Sequence, residues 1–307
     1  MPTPTSVPLP ARDAILAWYS EHGRPLAFRL TRDPYAILVS ESMAQQTQAA
    51  RAAAYWQRFM ERFPTIVALA VATPADVLRS WQGLGYDRRA LALWRAARIV
   101  VEEHGGRIPS SVAELQALPG VGPYTARAVA ALAFGLPVGA VDVNVRRVLG
   151  RIVAGDADAL PAPALQALAD RSVPAKRAGE WTHAVMDIGA TVCRPRVPRC
   201  DACPARPWCR LASNGRGAAA TRGKEAPTVV REPAVPFAST NRWLRGRILD
   251  RLRAVPDGEW LTLDTSIGTH DASRVRAAAD AMAADGILEL RSIEDDDDCV
   301  TARLPLA

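Results

Sequence analysis

The sequence predicts an all-α body, residues 1–210, followed by a small α/β tail, residues 240–307. Three observations lead to this. Apolar residues recur at helical spacing in segment after segment between 34 and 190, where strand signals are almost absent. Four of the five cysteines then fall within 17 residues. Beyond a stretch rich in Gly, Ala, Pro and Arg, the pattern changes to helix, strand, helix and hairpin.

Each element has a local reason. Pro34 suits a first helical position and Asp33 its N-cap, so 34–63 reads as at least one long helix. Further helices are predicted at 74–82, 88–104, 112–117, 124–134, 145–153, 162–172 and 179–190. Residues 211–239 show no sustained periodicity and read as a linker. In the tail, 241–254 is an amphipathic helix, 260–263 a short strand, and 273–284 a helix closed by Asp285-Gly286. Residues 287–292 and 300–304 form a hairpin around Glu294–Asp298. That order resembles a winged-helix module.

Charge divides the chain in the same place. The formal balance is +6, from 38 basic and 32 acidic residues. The tail holds 9 basic and 13 acidic residues, net −4, so residues 1–239 carry +10. A basic body suggests a nucleic-acid partner, and the acidic tail suggests packing or protein contact. All but Lys176 and Lys224 of the basic residues are arginine, a bias that a GC-rich coding sequence also produces. The longest apolar stretch, 128–141, is cut by Gly135, Pro137 and Gly139 and is too short to span a bilayer. The first residues carry no secretory signal. The expected compartment is the bacterial cytoplasm, at the nucleoid when acting.

Two segments carry chemistry. Cys193, Cys200, Cys203 and Cys209 are spaced C-x6-C-x2-C-x5-C. Structural zinc usually has two separated CxxC knuckles, and here there is one, so a [4Fe–4S] cluster is favoured over zinc. Arg194, Arg196, Arg199, Arg206 and Arg210 surround this loop, as a solvated face or as a phosphate-contact surface. Leu118–Thr125 reads LPGVGPYT, a helix–hairpin–helix turn in which Gly120, Val121 and Gly122 bring backbone close to a phosphate. A plain helical hairpin has the same pattern. Asp142 follows an apolar run and precedes a helix, so it reads either as an N-cap or as a functional carboxylate.

LPGVGPYT, VDVNVRRV at 141–148 and the four-cysteine loop, together with ESMAQQTQ at 41–48, GLGYDRRA at 83–90 and MDIGATVC at 186–193, resemble the helix–hairpin–helix, Gly/Pro/Asp superfamily of DNA glycosylases. Within it the chain is similar to the MutY-type adenine glycosylases. The resemblance covers roughly residues 14–210. It implies a six-helix barrel beside a cluster-bearing helical lobe, with double-stranded DNA containing a mispaired or damaged base as partner, acting as a monomer. It implies Glu41 as general acid at the adenine ring and Asp142 as the group that stabilises or attacks the sugar cation, with Tyr124 and Asn144 in support. Gln46 and Tyr86 would wedge into the base stack, Arg88 and the hairpin residues would contact DNA, and Phe28, Arg29, Ala44 and Asp187 would line the base pocket. Related bifunctional enzymes have a lysine where this chain has Tyr124, so hydrolysis without efficient strand cleavage is expected.

Some positions depart from the family. Leu26-Ala27-Phe28-Arg29 replaces Leu-Pro-Trp-Arg, Met43-Ala44-Gln45-Gln46 replaces Met-Leu-Gln-Gln, and Val143 replaces Gly or Thr. Phe28 and Ala44 remove pocket volume, which leaves thymine or uracil opposite guanine, or a bulkier damaged base, as an alternative substrate. A non-catalytic DNA-binding protein on the same scaffold is the third reading. The tail resembles no Nudix-like domain, the module that senses 8-oxoguanine in many relatives.

Overall fold

The computed structural model describes residues 5–214, 236–263, 265–293 and 296–306, the side chains of 292–299 excepted. Most of the expected linker, Lys224 and the hairpin residues Glu294 and Asp295 lie outside the described residues. In chain order the helices are α1 (Leu9–His22), α2 (Pro34–Ala44), α3 (Ala49–Arg62), α4 (Ile66–Ala70), α5 (Pro74–Ser80), α6 (Arg88–His104), α7 (Val112–Ala117), α8 (Pro123–Phe134), α9 (Val143–Ala154), α10 (Ala162–Ser172), α11 (Ala178–Asp187), α12 (Arg210–Ser213), α13 (Asn241–Ala254) and α14 (Ala272–Ala284). The strands are β1 (Leu261–Thr262), β2 (Glu289–Ile293) and β3 (Asp296–Arg303). The expected all-α body and α/β tail are both present. No helix among the described residues is long and apolar enough to cross a membrane.

The stretch 34–63, expected to hold at least one long helix, holds two, α2 and α3. Gln46 stands at φ +55°, in the left-handed region, and the chain turns there between α2 and α3. A non-glycine residue costs free energy in that conformation, which composition does not reveal.

The chain forms two compact units, Met1–Glu41 with Ile108–Val229, and Ser42–Arg107 with Val230–Ala307. In the first, Ile15, Leu149, Leu168, Trp181 and Ile188 are buried in one apolar cluster drawn from α1, α9, α10 and α11. Helix α11 runs on into a π turn, Ile188–Val192, just before the first cysteine of the loop. Such turns are rare and concentrate at functional sites.

In the second unit the tail shares its core with α5 and α6. Ala75, Leu78 and Leu91 are buried in the same cluster as Leu244, Ile248, Leu252, Val275, Met282 and Leu304. The sheet runs β1-β3-β2, antiparallel, with Leu261 opposite Ala302 and Glu289 opposite Arg303. Backbone joins the parts as well: Ala75 N–H donates to the Pro305 carbonyl at 3.0 Å. Arg253, only 7% exposed, donates to Asp87 at 2.7 Å and to the Leu78 carbonyl at 3.2 Å.

Trp81 anchors the turn that follows α5. Its ring is fully buried, meets Phe59 edge-on at 5.9 Å, and its Nε1–H donates to the Gly85 carbonyl at 3.2 Å. Trp81→Ala is expected to lower the unfolding free energy by about 3–5 kcal/mol, read as an earlier urea midpoint.

Candidate active site and cysteine-lined cavity

Helix α2 carries the segment AILVSESM, and its buried face sets the character of the site. Ile37, Leu38 and Val39 are buried, and Glu41 is only 7% exposed among them. Burial pushes the Glu41 carboxyl from 4.5 up to about 7. A hydrogen bond donated by the Tyr124 hydroxyl and the charge of Arg29 pull it back down, while Asp142 adds to the rise. Desolvation exceeds the two opposing effects, so the carboxyl keeps its proton far above the ordinary range. Tyr124 is itself pushed well above its ordinary value, by burial first and then by Glu41 and Asp142, and stays a neutral donor.

A cavity of about 380 Å³ opens beside Glu41, walled by Phe28, Arg29, Ser40 and His183. Arg29 is held rigidly. Its two terminal nitrogens donate to the two Asp187 oxygens at 2.7 and 2.8 Å, and Arg24 adds bonds from its backbone at 2.9 Å and its Nε at 2.6 Å. Burial would raise the Asp187 carboxyl, but the arginines outweigh it and hold the group ionised, below its ordinary value. Arg29 Nε is buried and has no hydrogen-bond partner among the described residues.

His183 was not anticipated from the sequence, because it belongs to no His-containing motif. Burial, and then the charge of Arg29, push its imidazole down to about 3, so it is neutral at physiological pH. The exposed Lys176 stands at the rim of the same cavity.

Asp142 serves as the cap of α9. Its Oδ1 accepts from the backbone N–H of Asn144 at 2.9 Å and of Val145 at 2.7 Å. Its Oδ2 accepts from Asn144 Nδ2 at 2.9 Å. The two readings left open by the sequence are compatible, since a cap fixed by three donors is also a fixed carboxylate. Asn144 is seated in turn. Its Oδ1 accepts from Arg147 at 2.7 Å, and Arg147 also donates to the carbonyls of Gly189 and Cys193, each at 2.7 Å. A Cβ on Gly189 would stand 2.5 Å from Asn144 Cβ, so only glycine lets the π turn pack against α9 this closely. Arg147 is a second residue of the candidate site that the sequence did not single out; its signal is its position three residues after Asn144.

The four loop cysteines line one narrow cavity with Val148, Ile152 and Leu211, and none forms a disulfide. Burial pushes the Cys203 thiol up to about 12 and raises Cys200 and Cys209 too. Four thiolates there require a compensating cation. Among the described residues no three Cys, His, Asp or Glu converge closely enough to hold one metal ion. A cavity lined by four cysteines has the donor set of a thiolate-bound metal group. Arg151 donates to Cys193 Sγ at 3.4 Å and to the carbonyls of Arg194 and Pro195 at 2.8 Å.

In the hairpin, Gly120 is at φ +75° and Gly122 caps α8 with no side-chain cap bond, which leaves the helix N-terminus open. In the second unit, Gln46 and Tyr86 are exposed, and they are the two non-glycine residues at positive φ among the described residues. Arg88 is exposed and pairs with Asp285. Ala44 is half-buried at the end of α2.

Residues 39–172 match the HhH-GPD superfamily of base excision DNA repair proteins. The adenine DNA glycosylase of Mycobacterium tuberculosis is 41% identical over 264 residues, spanning 81% of this chain and 83% of that protein. That of Mycolicibacterium smegmatis is 40% identical over 286 residues, spanning 90% of this chain and 91% of that protein, a share that takes in part of the tail. A solved thermostable thymine-DNA glycosylase superposes with a TM-score of 0.62 at 30% identity, covering 66% of this chain and 95% of its own. The chain belongs to this superfamily and, within it, to the adenine DNA glycosylase family.

Glu41 makes stability depend on pH. Its folded-state value is raised, so its full contribution is present below 4.5 and is lost as pH rises through about 7. The unfolding free energy is expected to fall by about 3 kcal/mol across that window. Glu41→Gln should remove this slope in urea titrations at a series of pH values.

Proposed function

We propose that this chain is a monofunctional glycosylase of base excision repair that hydrolyses the N-glycosidic bond of an adenine mispaired with 8-oxoguanine or guanine in duplex DNA. The observation that carries the reading is the Glu41 carboxyl, buried, with its proton held up toward neutral pH, bonded to Tyr124 and beside a cavity lined by Arg29 and His183.

A base in a duplex must be extruded before it can be reached. Gln46 and Tyr86 hold costly backbone conformations at exposed positions, which supports their role in filling the gap left in the stack. Glu41 gives its proton to a ring nitrogen of adenine as the bond to the sugar breaks and its electron pair leaves with the base. Positive charge then develops on the sugar, and Asp142, an acceptor fixed by three donors, stabilises it or bonds to it until water adds. Arg29 and neutral His183 line the cavity as polar residues, and Phe28 gives it an apolar wall. No lysine stands at the position of Tyr124, which supports hydrolysis over Schiff-base strand cleavage. Gly120, Val121, Gly122 and the open start of α8 suit a DNA phosphate. The cytoplasm is the setting that matches four loop cysteines without a disulfide.

Cys193, Cys200, Cys203 and Cys209 would hold a [4Fe–4S] cluster, which supplies a cross-link that fixes the shape of the basic loop. Protein purified without oxidation is expected to be brown, with broad absorbance near about 400 nm. A colourless protein containing one zinc would overturn the cluster assignment.

Single-turnover assays on duplexes with A opposite 8-oxoguanine, A opposite G, T opposite G and U opposite G test the activity. Adenine release is expected from the first two. Asp142→Asn should slow it by about 10²–10⁴-fold. Release of thymine or uracil in place of adenine would overturn the substrate, and full activity in Asp142→Asn would overturn the mechanism.

A further inference from the structure

We propose that the first helix of the tail, α13, is part of the DNA-binding surface, with Arg242 as a phosphate contact next to Tyr86. The inference rests on the reading above that the chain acts on duplex DNA, and it assigns the tail a share in holding that DNA.

A groove of about 980 Å³ runs through the second unit, with Gln46 and Tyr86 in its wall and α13 beside them. Seven arginines and three aspartates line it, a local balance of +4. The aspartates are already engaged: Asp87 by Arg253, Asp250 by Arg247 and Arg253, and Asp285 by Arg88 and Arg245. Arg242 is exposed and makes no ion pair among the described residues. Its guanidinium lies 4.9 Å over the Tyr86 ring, so it is poised while its charge stays available.

The net −4 of the tail conceals this. Helix α13 alone holds five arginines against one aspartate, and the acidic excess belongs to residues 255–307. One turn beyond Arg242, Gly246 also lines the groove. Glycine in the middle of a helix lowers its stability, and here a Cβ would meet nothing within 4 Å. No packing among the described residues requires glycine there. The bare backbone leaves room for a ligand to approach. A groove with surplus arginine charge, an exposed aromatic, an exposed amide and a bare stretch of helix matches a nucleic-acid backbone.

The test is binding of the full chain to a short undamaged duplex, followed by anisotropy at several salt concentrations. Arg242→Ala is expected to weaken binding and to reduce the slope of log affinity against log salt by about 0.9, the share of one phosphate. Arg242→Lys should keep the slope. Gly246→Leu should weaken binding about tenfold, the worth of one good contact, without lowering the thermal midpoint. Arg291→Ala, on β2 and exposed, is the control and should bind as the parent does. Parental affinity and slope in both Arg242→Ala and Gly246→Leu would overturn the proposal. Adenine release by the parent chain is measured in parallel. Its failure would count against the proposed activity, while the salt slopes alone decide the groove.

Discussion

A carboxyl group kept protonated by burial is the constraint on which the active site depends. Glu41 stands among apolar side chains of α2, and its proton survives only while the nearby positive charge is weak. Arg29 is that charge. Asp187 takes up both ends of its guanidinium, and so limits how far Arg29 can pull Glu41 down. The buried ion pair therefore does more than hold a side chain in place. It holds an arginine in the cavity wall without ionising the carboxyl beside it.

The second carboxylate is governed by geometry. Asp142 is fixed by the first turn of α9, and that turn is fixed by Arg147, which reaches the π turn and the carbonyl of Cys193. Continuous hydrogen bonds thus join the cysteine-lined loop to the reacting end of the site. The cysteine loop needs no part in the chemistry to matter to Asp142, since the position of Asp142 depends on the same backbone.

How much of this was legible in the sequence varied with the origin of each signal. The cysteine loop, the hairpin glycines and the α9 cap are local patterns, readable from spacing and residue type. The tail elements were also readable from periodicity, and α13 begins and ends where it was expected. The break after α2 was not, because glutamine at positive φ leaves no compositional trace. The burial of Glu41 was legible, because the residue lies inside the apolar stretch AILVSESM. His183 and Arg24 acquire meaning only from what they face. The tail's net charge of −4 hides a helix, α13, with five arginines against one aspartate, because a net count averages over it.

The core shared by α5, α6 and the tail has a consequence for synthesis. The apolar side chains of Ala75, Leu78 and Leu91 leave the ribosome about 150 residues before Leu244, Ile248 and Leu252, which cover them. At ordinary elongation rates that delay is roughly 10–30 s. Until the last fifth of the chain has been made, the nascent protein carries an uncovered apolar face. A stop codon near residue 240 would therefore leave that face open for good, and the product would be a substrate for chaperones and proteases as well as an enzyme without its tail.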